Sequence, residues 1–136
     1  MMGAVKPVLI SIVVCDTVIR DDETRKLSLI GIFNTISSQK FPCVHARLHV
    51  YVAVTDGEGK ARGRLQLMDN DTNQPLQTFD GEIYFPDRFA VIEMNFVLMN
   101  MNFPKPGIYR FDFWVDGDII GQRRFHVNEA PQQQKT

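Results

Sequence analysis

Apolar residues recur at every second position through most of this chain. Within residues 43–55, one side of the segment carries Val44, Ala46, Leu48, Val50, Val52 and Val54, and the other carries Cys43, His45, Arg47, His49, Tyr51 and Thr55. Side chains alternate between the two faces of a β-strand, whereas a helix repeats every 3.6 residues. The alternation therefore predicts a chain built from strands, and no segment shows a convincing helical period.

Turn-forming residues divide the chain into about eight such segments. The predicted strands are Val8–Arg20, Leu27–Ile36, Cys43–Thr55, Ala61–Met68, Leu76–Phe85, Phe89–Met101, Tyr109–Val115 and Ile119–Val127. The strongest turn signal is Asp116-Gly117, which predicts a hairpin between the last two strands. This spacing predicts an all-β, antiparallel two-sheet β-sandwich, jelly-roll or immunoglobulin-like, with a β-barrel as the alternative.

A length of 136 residues predicts a single domain. We expect residues 1–7 to form an N-terminal lead, residues 8–128 the sandwich, and residues 129–136 a flexible polar tail. A chain of this size buries about two-thirds of its surface on folding, so it needs no metal or disulfide to hold a core.

Charge and cysteine content narrow the function classes. The 15 basic and 16 acidic residues give a net charge of −1, which argues against a dominant nucleic-acid or membrane-surface role. Two cysteines are too few for a secreted disulfide scaffold, so we expect reduced thiols.

The apolar run before Cys15 lacks the small residue at which a lipoprotein signal is cut, and no run approaches the ~20 apolar residues of a membrane-spanning helix. A cytoplasmic protein is expected.

Several stretches resemble a known family. They are residues 14–21 (VCDTVIRD), residues 26–34 (KLSLIGIFN), Phe41-Pro42 and residues 103–111 (FPKPGIYRF). Over roughly residues 8–127 the chain resembles a bacterial family of small uncharacterised proteins, a domain of unknown function. The resemblance implies the all-β fold and brings no assigned activity or catalytic residue.

The single tryptophan, Trp114, marks a candidate ligand site. By alternation it faces away from Phe111 and Phe113, on the same side as Arg110 and Asp112, with Arg124 on the next predicted strand. A flat aromatic ring beside hydrogen-bonding side chains can hold a sugar ring or a partner loop. The candidate ligand-binding residues are Trp114, Arg110, Asp112 and Arg124. The alternative is a tryptophan covered by a loop, by the tail or by a neighbouring subunit.

Two patterns have the spacing of metal ligands. Asp69, Asp71 and Asn73 match the first three ligand positions of a calcium loop, but Gln74 stands where that loop needs glycine. The alternative is a turn in which Asp and Asn side chains bond their own backbone. Cys43 and His45 share a strand face and form an alternative zinc site, which the neighbouring Arg47 disfavours.

No assembled catalytic set can be read from the residues. Asp16 lies inside an apolar strand and therefore needs a partner or a raised pKa, but no second carboxylate at a defined separation accompanies it. The sequence has no glycine-rich phosphate loop, nucleophile elbow or CxxC motif. We therefore predict no catalytic residue, no cofactor and no enzyme.

The apolar residues that face outward suggest a different role. Val97, Met99 and Met101 are predicted on the face opposite Phe96, and an uncovered apolar face is an association surface. The leading hypothesis is a non-enzymatic binding or structural module that contacts an unidentified protein partner or forms a homo-oligomer. The alternatives are a carbohydrate- or small-ligand-binding sandwich with structural calcium, and a metal-assisted enzyme that uses His45 or Asp16.

Overall fold

The computed structural model describes residues 6–131, and this part of the chain is all-β. Its strands are β1 (Val8–Arg20), β2 (Leu27–Ile32), β3 (Thr35–Ser38), β4 (Cys43–Thr55), β5 (Gly59–Asp69), β6 (Gln74–Phe85), β7 (Ile92–Phe103), β8 (Gly107–Val115) and β9 (Asp118–Glu129). They form two sheets, which confirms the predicted sandwich. Within the same residues no helix is long and apolar enough to cross a membrane.

The strand order is that of an immunoglobulin-like sandwich. The four-stranded sheet runs β2-β1-β4-β7, and the five-stranded sheet runs β3-β9-β8-β5-β6. Without β2 and β3, three strands face four as in immunoglobulin-like sandwiches, but β6 pairs with β5 rather than with β7, the neighbour it has in the constant-type order. All of the pairs are antiparallel except β3 and β9, which are parallel.

The predicted strand Leu27–Ile36 is two strands in different sheets, so that prediction was wrong. The chain leaves the first sheet at Phe33, whose N–H donates to Val14 O, and joins the second at Asn34, whose carbonyl accepts from His126 N–H. Gly31 adopts a φ of 71° just before the crossing, a conformation that glycine reaches without strain. Within residues 6–131 the crossing gives nine strands where the sequence predicted about eight.

The core lies between the inward faces of both sheets. Its largest fully buried side chains are Tyr109, Phe85, Phe103, Phe111, Phe113, Phe125, Leu48, Leu65, Leu67, Ile83, Leu98 and Met101. Phe103 meets Tyr109 edge to face at 5.0 Å between ring centroids, and Phe111 stacks on Phe125 at 5.3 Å. The first contact joins β7 of one sheet to β8 of the other, and the second joins β8 to β9 within the five-stranded sheet.

The predicted alternation fails at one end of β4 and β7. Val44 was expected inward with Leu48 but is 63% exposed, and Met101 was expected outward with Met99 but is fully buried. Asn100 has a left-handed φ of 53°, which reverses the side-chain alternation of β7 at that point. The β4–β7 register is the same on both sides of it, so both strands change face together.

The chain ends are only partly described. β9 continues to Glu129, one residue past the predicted domain limit, and Ala130 N–H donates to Ser38 O. Residues 1–5 of the predicted lead and residues 132–136 of the predicted tail lie outside the described residues.

Candidate functional site

The side chains on the outward side of the four-stranded sheet form a surface that we call the four-stranded face. Strand pairing places Ile32, Cys15, His49 and Val97 side by side in one row across all four strands. Two residues further along these strands, Thr17 pairs with Ile30 and Arg47 pairs with Met99. The exposed apolar side chains among these residues therefore lie on the two edge strands, while the buried Cys15 and the polar side chains lie on the two central ones.

The edge positions expose much of their apolar surface. Ile30 is 46% exposed and Ile32 58% on β2, while Val97 is 45% exposed and Met99 56% on β7. Single exposed apolar residues are ordinary, but here each edge strand exposes two of them close together, and clustered apolar surface marks an interaction site. The sequence predicted Val97 and Met99 here. Ile30 and Ile32 were missed, because nothing local shows that β2 pairs beside β1.

His49 lies between these apolar edges and is only 2% exposed. Arg47 Nε donates to His49 Nε2 at 3.3 Å, and His49 Nδ1 lies 2.9 Å from Asn95 Oδ1. Because an arginine can only donate, Nε2 is the acceptor and Nδ1 carries the proton that is donated to Asn95. Both ring nitrogens are thus used within the face, and neither is free to act as a base.

Cys15 pairs with His49 across β1 and β4 but is not an activated thiol. The residue is fully buried, and its Sγ donates a long hydrogen bond of 3.5 Å to Thr17 O. Burial raises the pKa of the Cys15 thiol, and the neighbouring Asp16 charge raises it further. A raised pKa keeps the thiol protonated, which is the unreactive form.

Tyr51 extends the polar centre of the face toward Glu93. Its hydroxyl donates to Glu93 Oε2 on the neighbouring strand β7. Burial, followed by the hydrogen bond to Glu93 and its negative charge, raises the pKa of Tyr51 to about 12. Tyr51 is therefore neutral at physiological pH and acts as a hydrogen-bond donor.

The outward side of the five-stranded sheet carries a groove beside Trp114. The groove has a volume of about 430 Å³ and is lined by Arg62, Arg64, Gln66, Trp114, Asp116 and Gly117. Trp114 faces outward as predicted, because Phe111 and Phe113 fill the core. The lining residues from β5 were missed as a site, although the alternation of Arg62, Arg64 and Gln66 against Leu65 and Leu67 put them on one face.

The other three predicted ligand-binding residues lie on the same sheet face but do not line this groove. A register shift between Phe113 and Trp114 pairs Trp114 with Ile119, whereas Arg124 pairs with Arg110. Arg110 Nε donates to Asp112 Oδ1 at 2.8 Å, and Asp112 is only 2% exposed. Arg110 and Asp112 therefore form a largely buried ion pair.

Arg110 also holds the turn that the sequence offered as a calcium loop. Its remaining nitrogens donate to Asn70 Oδ1 and Asn73 Oδ1, and Asp69 Oδ1 accepts from the backbone N–H groups of Asp71 and Thr72. The side chains of Asp69 and Asn73 are thus engaged in turn hydrogen bonds. Among residues 6–131, no group of three or more His, Cys, Asp or Glu side chains is placed to hold a metal ion.

Cys43 and His45 lie at the start of β4 in different surroundings. Cys43 is buried in the core, while the partly exposed ring of His45 lies 5.9 Å from the Phe33 ring. His45 and Asp16 line the same open cavity of about 250 Å³ between β1 and the β2–β3 crossing. No hydrogen bond joins these two side chains within the described chain.

Comparison with known proteins identifies the family. Residues 10–128 match the model of DUF6941, a family of unknown function, and the chain belongs to this family. This confirms the resemblance to a small domain of unknown function. Comparison with curated proteins gives no significant match.

Solved structures with a similar fold include a β-glucosidase from Listeria innocua. Its complex with isofagomine matches 91% of this chain at a TM-score of 0.50 and 11% identity, and its laminaribiose-bound D270A mutant matches 90% at 0.49 and 12%. The match spans only 16% of the length of each of these chains. At this identity the likeness concerns the fold of one part of the enzyme alone.

Proposed function

We propose that this protein is a non-enzymatic β-sandwich that binds a second copy of itself through the four-stranded face. The observation that carries the proposal is the exposure of apolar side chains on both edge strands of the face, β2 and β7. A cytoplasmic location, expected from the sequence, remains part of this proposal.

The face has the dimensions that a stable interface needs. Strands lie about 4.8 Å apart and rise about 3.3 Å per residue, so the three long strands span roughly 14 Å by 40 Å and the short strand β2 adds roughly 5 Å by 20 Å. The resulting area is about 650 Å², which approaches the ~800 Å² that each partner contributes to a standard protein interface.

The positions of the apolar residues favour a second copy as the occupant. A twofold axis parallel to the strands, between β1 and β4, places β2 of one copy over β7 of the other. Ile32 then meets Val97 of the second copy, because the two residues share a row, and Ile30 and Met99 each lie two residues further along their strands in the same direction. The surface is thus complementary to itself, as a twofold interface requires.

Two polar side chains at the centre of the face already have hydrogen-bond partners. His49 already has a partner at each ring nitrogen, and Tyr51 has one at its hydroxyl. Burying a polar group costs little free energy when its hydrogen bonds are already made. The net charge of −1 also produces little repulsion between two copies.

Sedimentation velocity across a concentration series tests the proposal. We expect a dimer with a dissociation constant in the micromolar range or tighter. Ile32→Lys places a charge among the apolar side chains of the interface, so it should raise the dissociation constant of the dimer at least ~10-fold, equivalent to about 1.4 kcal/mol.

A matched control uses an apolar residue outside the four-stranded face. Phe89, in the segment between β6 and β7, is 84% exposed, so Phe89→Lys introduces the same charge elsewhere and should leave the dimer unchanged. A wild-type chain that stays monomeric at every concentration would overturn the proposal. Equal weakening of the dimer by both substitutions would show that the four-stranded face is not the interface.

A further inference from the structure

We propose that the Trp114 groove is a second, independent site that binds a neutral sugar ring. It lies on the five-stranded sheet, opposite the face assigned to self-association. Its volume of about 430 Å³ falls within the range of roughly 300–1,000 Å³ that small-molecule sites occupy.

Trp114 supplies an apolar platform. Its only polar side-chain atom, Nε1, is buried and has no hydrogen-bond partner within residues 6–131. The part of the indole that lines the groove is therefore carbon surface. The C–H face of a pyranose packs on such a surface, because a flat aromatic ring offers a large, rigid contact area.

Hydrogen-bond donors flank this platform on β5. Arg62 forms no side-chain hydrogen bond or ion pair within the described chain, so its guanidinium is available to a ligand. Arg64 uses only Nε, in its bond to Asp80 at 2.9 Å, and keeps its terminal nitrogens. These groups donate in fixed planes toward acceptor oxygens.

Acceptors lie in the same groove. Gln66 donates through Nε2 to Thr78, which leaves its Oε1 as an acceptor. Asp116 Oδ1 accepts a hydrogen bond from the backbone N–H of Arg62 at 2.8 Å, so Asp116 Oδ2 remains available to a ligand. A sugar hydroxyl both donates and accepts, and a groove that offers both functions around a carbon surface matches that chemistry.

The charge balance favours a neutral ligand over an anion. Arg64 is paired with Asp80, which lies outside the groove lining and whose pKa is lowered mainly by this hydrogen bond, and Asp116 offsets the remaining arginine, Arg62. An oxyanion site would keep an excess of positive charge, whereas this groove carries none.

Fluorescence titration of the full chain tests the inference directly, because Trp114 is the only tryptophan. The probes are glucose, galactose, mannose, N-acetylglucosamine and their β-linked disaccharides, with sodium phosphate as the anion. We expect at least one neutral sugar to change the Trp114 emission saturably, with a dissociation constant in the millimolar range or tighter.

Variants distinguish groove binding from a general solvent effect. Arg62→Ala removes a ligand donor from an exposed position and should weaken sugar binding at least ~10-fold. Arg124→Ala lies on the same sheet outside the groove and should leave binding unchanged. Calorimetry with Trp114→Ala should show no sugar binding, while Trp114→Phe keeps an aromatic platform and part of the affinity.

The possible failures differ from those of the self-association proposal. A flat response to every sugar, a response to phosphate alone, or equal affinity in Arg62→Ala would overturn the sugar site. None of these results bears on the sedimentation of the wild-type chain, because the groove and the four-stranded face lie on opposite sheets.

Discussion

Tyr51 shows how a single residue is tuned by its place on a sheet. It sits on the central strand β4 and donates to Glu93 on β7. Burial and this acidic neighbour raise its pKa from 10.0 to about 12, so the folded protein holds the phenol proton more tightly than the unfolded chain does. Only the strand register brings the two residues together, since they are far apart in sequence.

This shift makes the stability of the protein depend on alkaline pH. The protonated form is favoured in the folded state, so the stabilisation is fully present below pH 10.0 and is lost as the pH rises toward about 12. Glu93→Gln removes the negative charge, so we expect it to lower the Tyr51 pKa and to weaken this dependence. Ultraviolet titration of the phenolates, together with urea unfolding at each pH, measures both effects.

Tyr51→Phe assigns the titration. It should remove the tyrosine step that occurs near pH 12 and leave the others in place. If it instead removed a step near pH 10.0, the hydrogen bond to Glu93 would have no effect on the ionisation.

At the scale of the element, β4 and β7 change face together. The change occurs where Asn100 takes a left-handed φ of 53°, and it puts Met101 in the core and Val44 at the surface. Asparagine tolerates this conformation better than other non-glycine residues do, and a β-branched residue tolerates it least. One residue thus decides which side chains of two strands fill the core.

Substitutions at Asn100 test this role. We expect Asn100→Val to reduce the free energy of unfolding by about 1–2 kcal/mol, because the left-handed conformation is costly for a β-branched side chain. Asn100→Gly should be neutral or stabilising by up to about 1 kcal/mol. Urea denaturation measures both changes.

Asn102 provides the matched control. It is an exposed asparagine on the same strand, and its φ is not left-handed. Valine is favoured at an ordinary strand position, so Asn102→Val should not destabilise the protein. Equal losses at the two positions would show that valine is harmful for a reason other than backbone conformation.

At the scale of the whole molecule, the connection from β7 to β8 joins the two sheets. β7 belongs to one sheet and β8 to the other, and Tyr109 at the start of β8 closes the corner between them. Its hydroxyl donates to Lys105 O at 2.6 Å, the arrangement known in immunoglobulin-like folds as a tyrosine corner. Its ring also packs against Phe103 and Phe125 in the core.

Removing this hydroxyl should destabilise the entire sandwich. Tyr109→Phe keeps the ring but leaves the Lys105 carbonyl without its donor, which we expect to cost about 1–3 kcal/mol of unfolding free energy. Tyr84 is 58% exposed, so Tyr84→Phe should change the stability by less than about 0.5 kcal/mol. Denaturant unfolding of the two variants gives the comparison, and equal stability would contradict the role of the corner.

Much of the candidate site followed from alternation alone. The pattern correctly placed Trp114, Val97 and Met99 on outward faces, because a residue's side of a strand depends only on local geometry. The same rule failed for Val44 and Met101, because the conformation of Asn100 interrupts it. The role of Arg110 in holding the Asn70 and Asn73 side chains could not be read either, since it depends on the pairing of β5 with β8.

By itself, the sequence determined that this chain is an all-β sandwich with one hydrophobic side to most of its strands, since side-chain alternation is a property of each strand alone. The tertiary structure decided which strands are neighbours. It brought Ile32 of β2 and Val97 of β7 into one row, and Arg62 of β5 beside Trp114 of β8. Strand order is set by contacts between segments that are distant in sequence. The apolar area that these contacts bury together is larger than any single segment can bury alone. The order of the strands therefore leaves little trace in the local sequence.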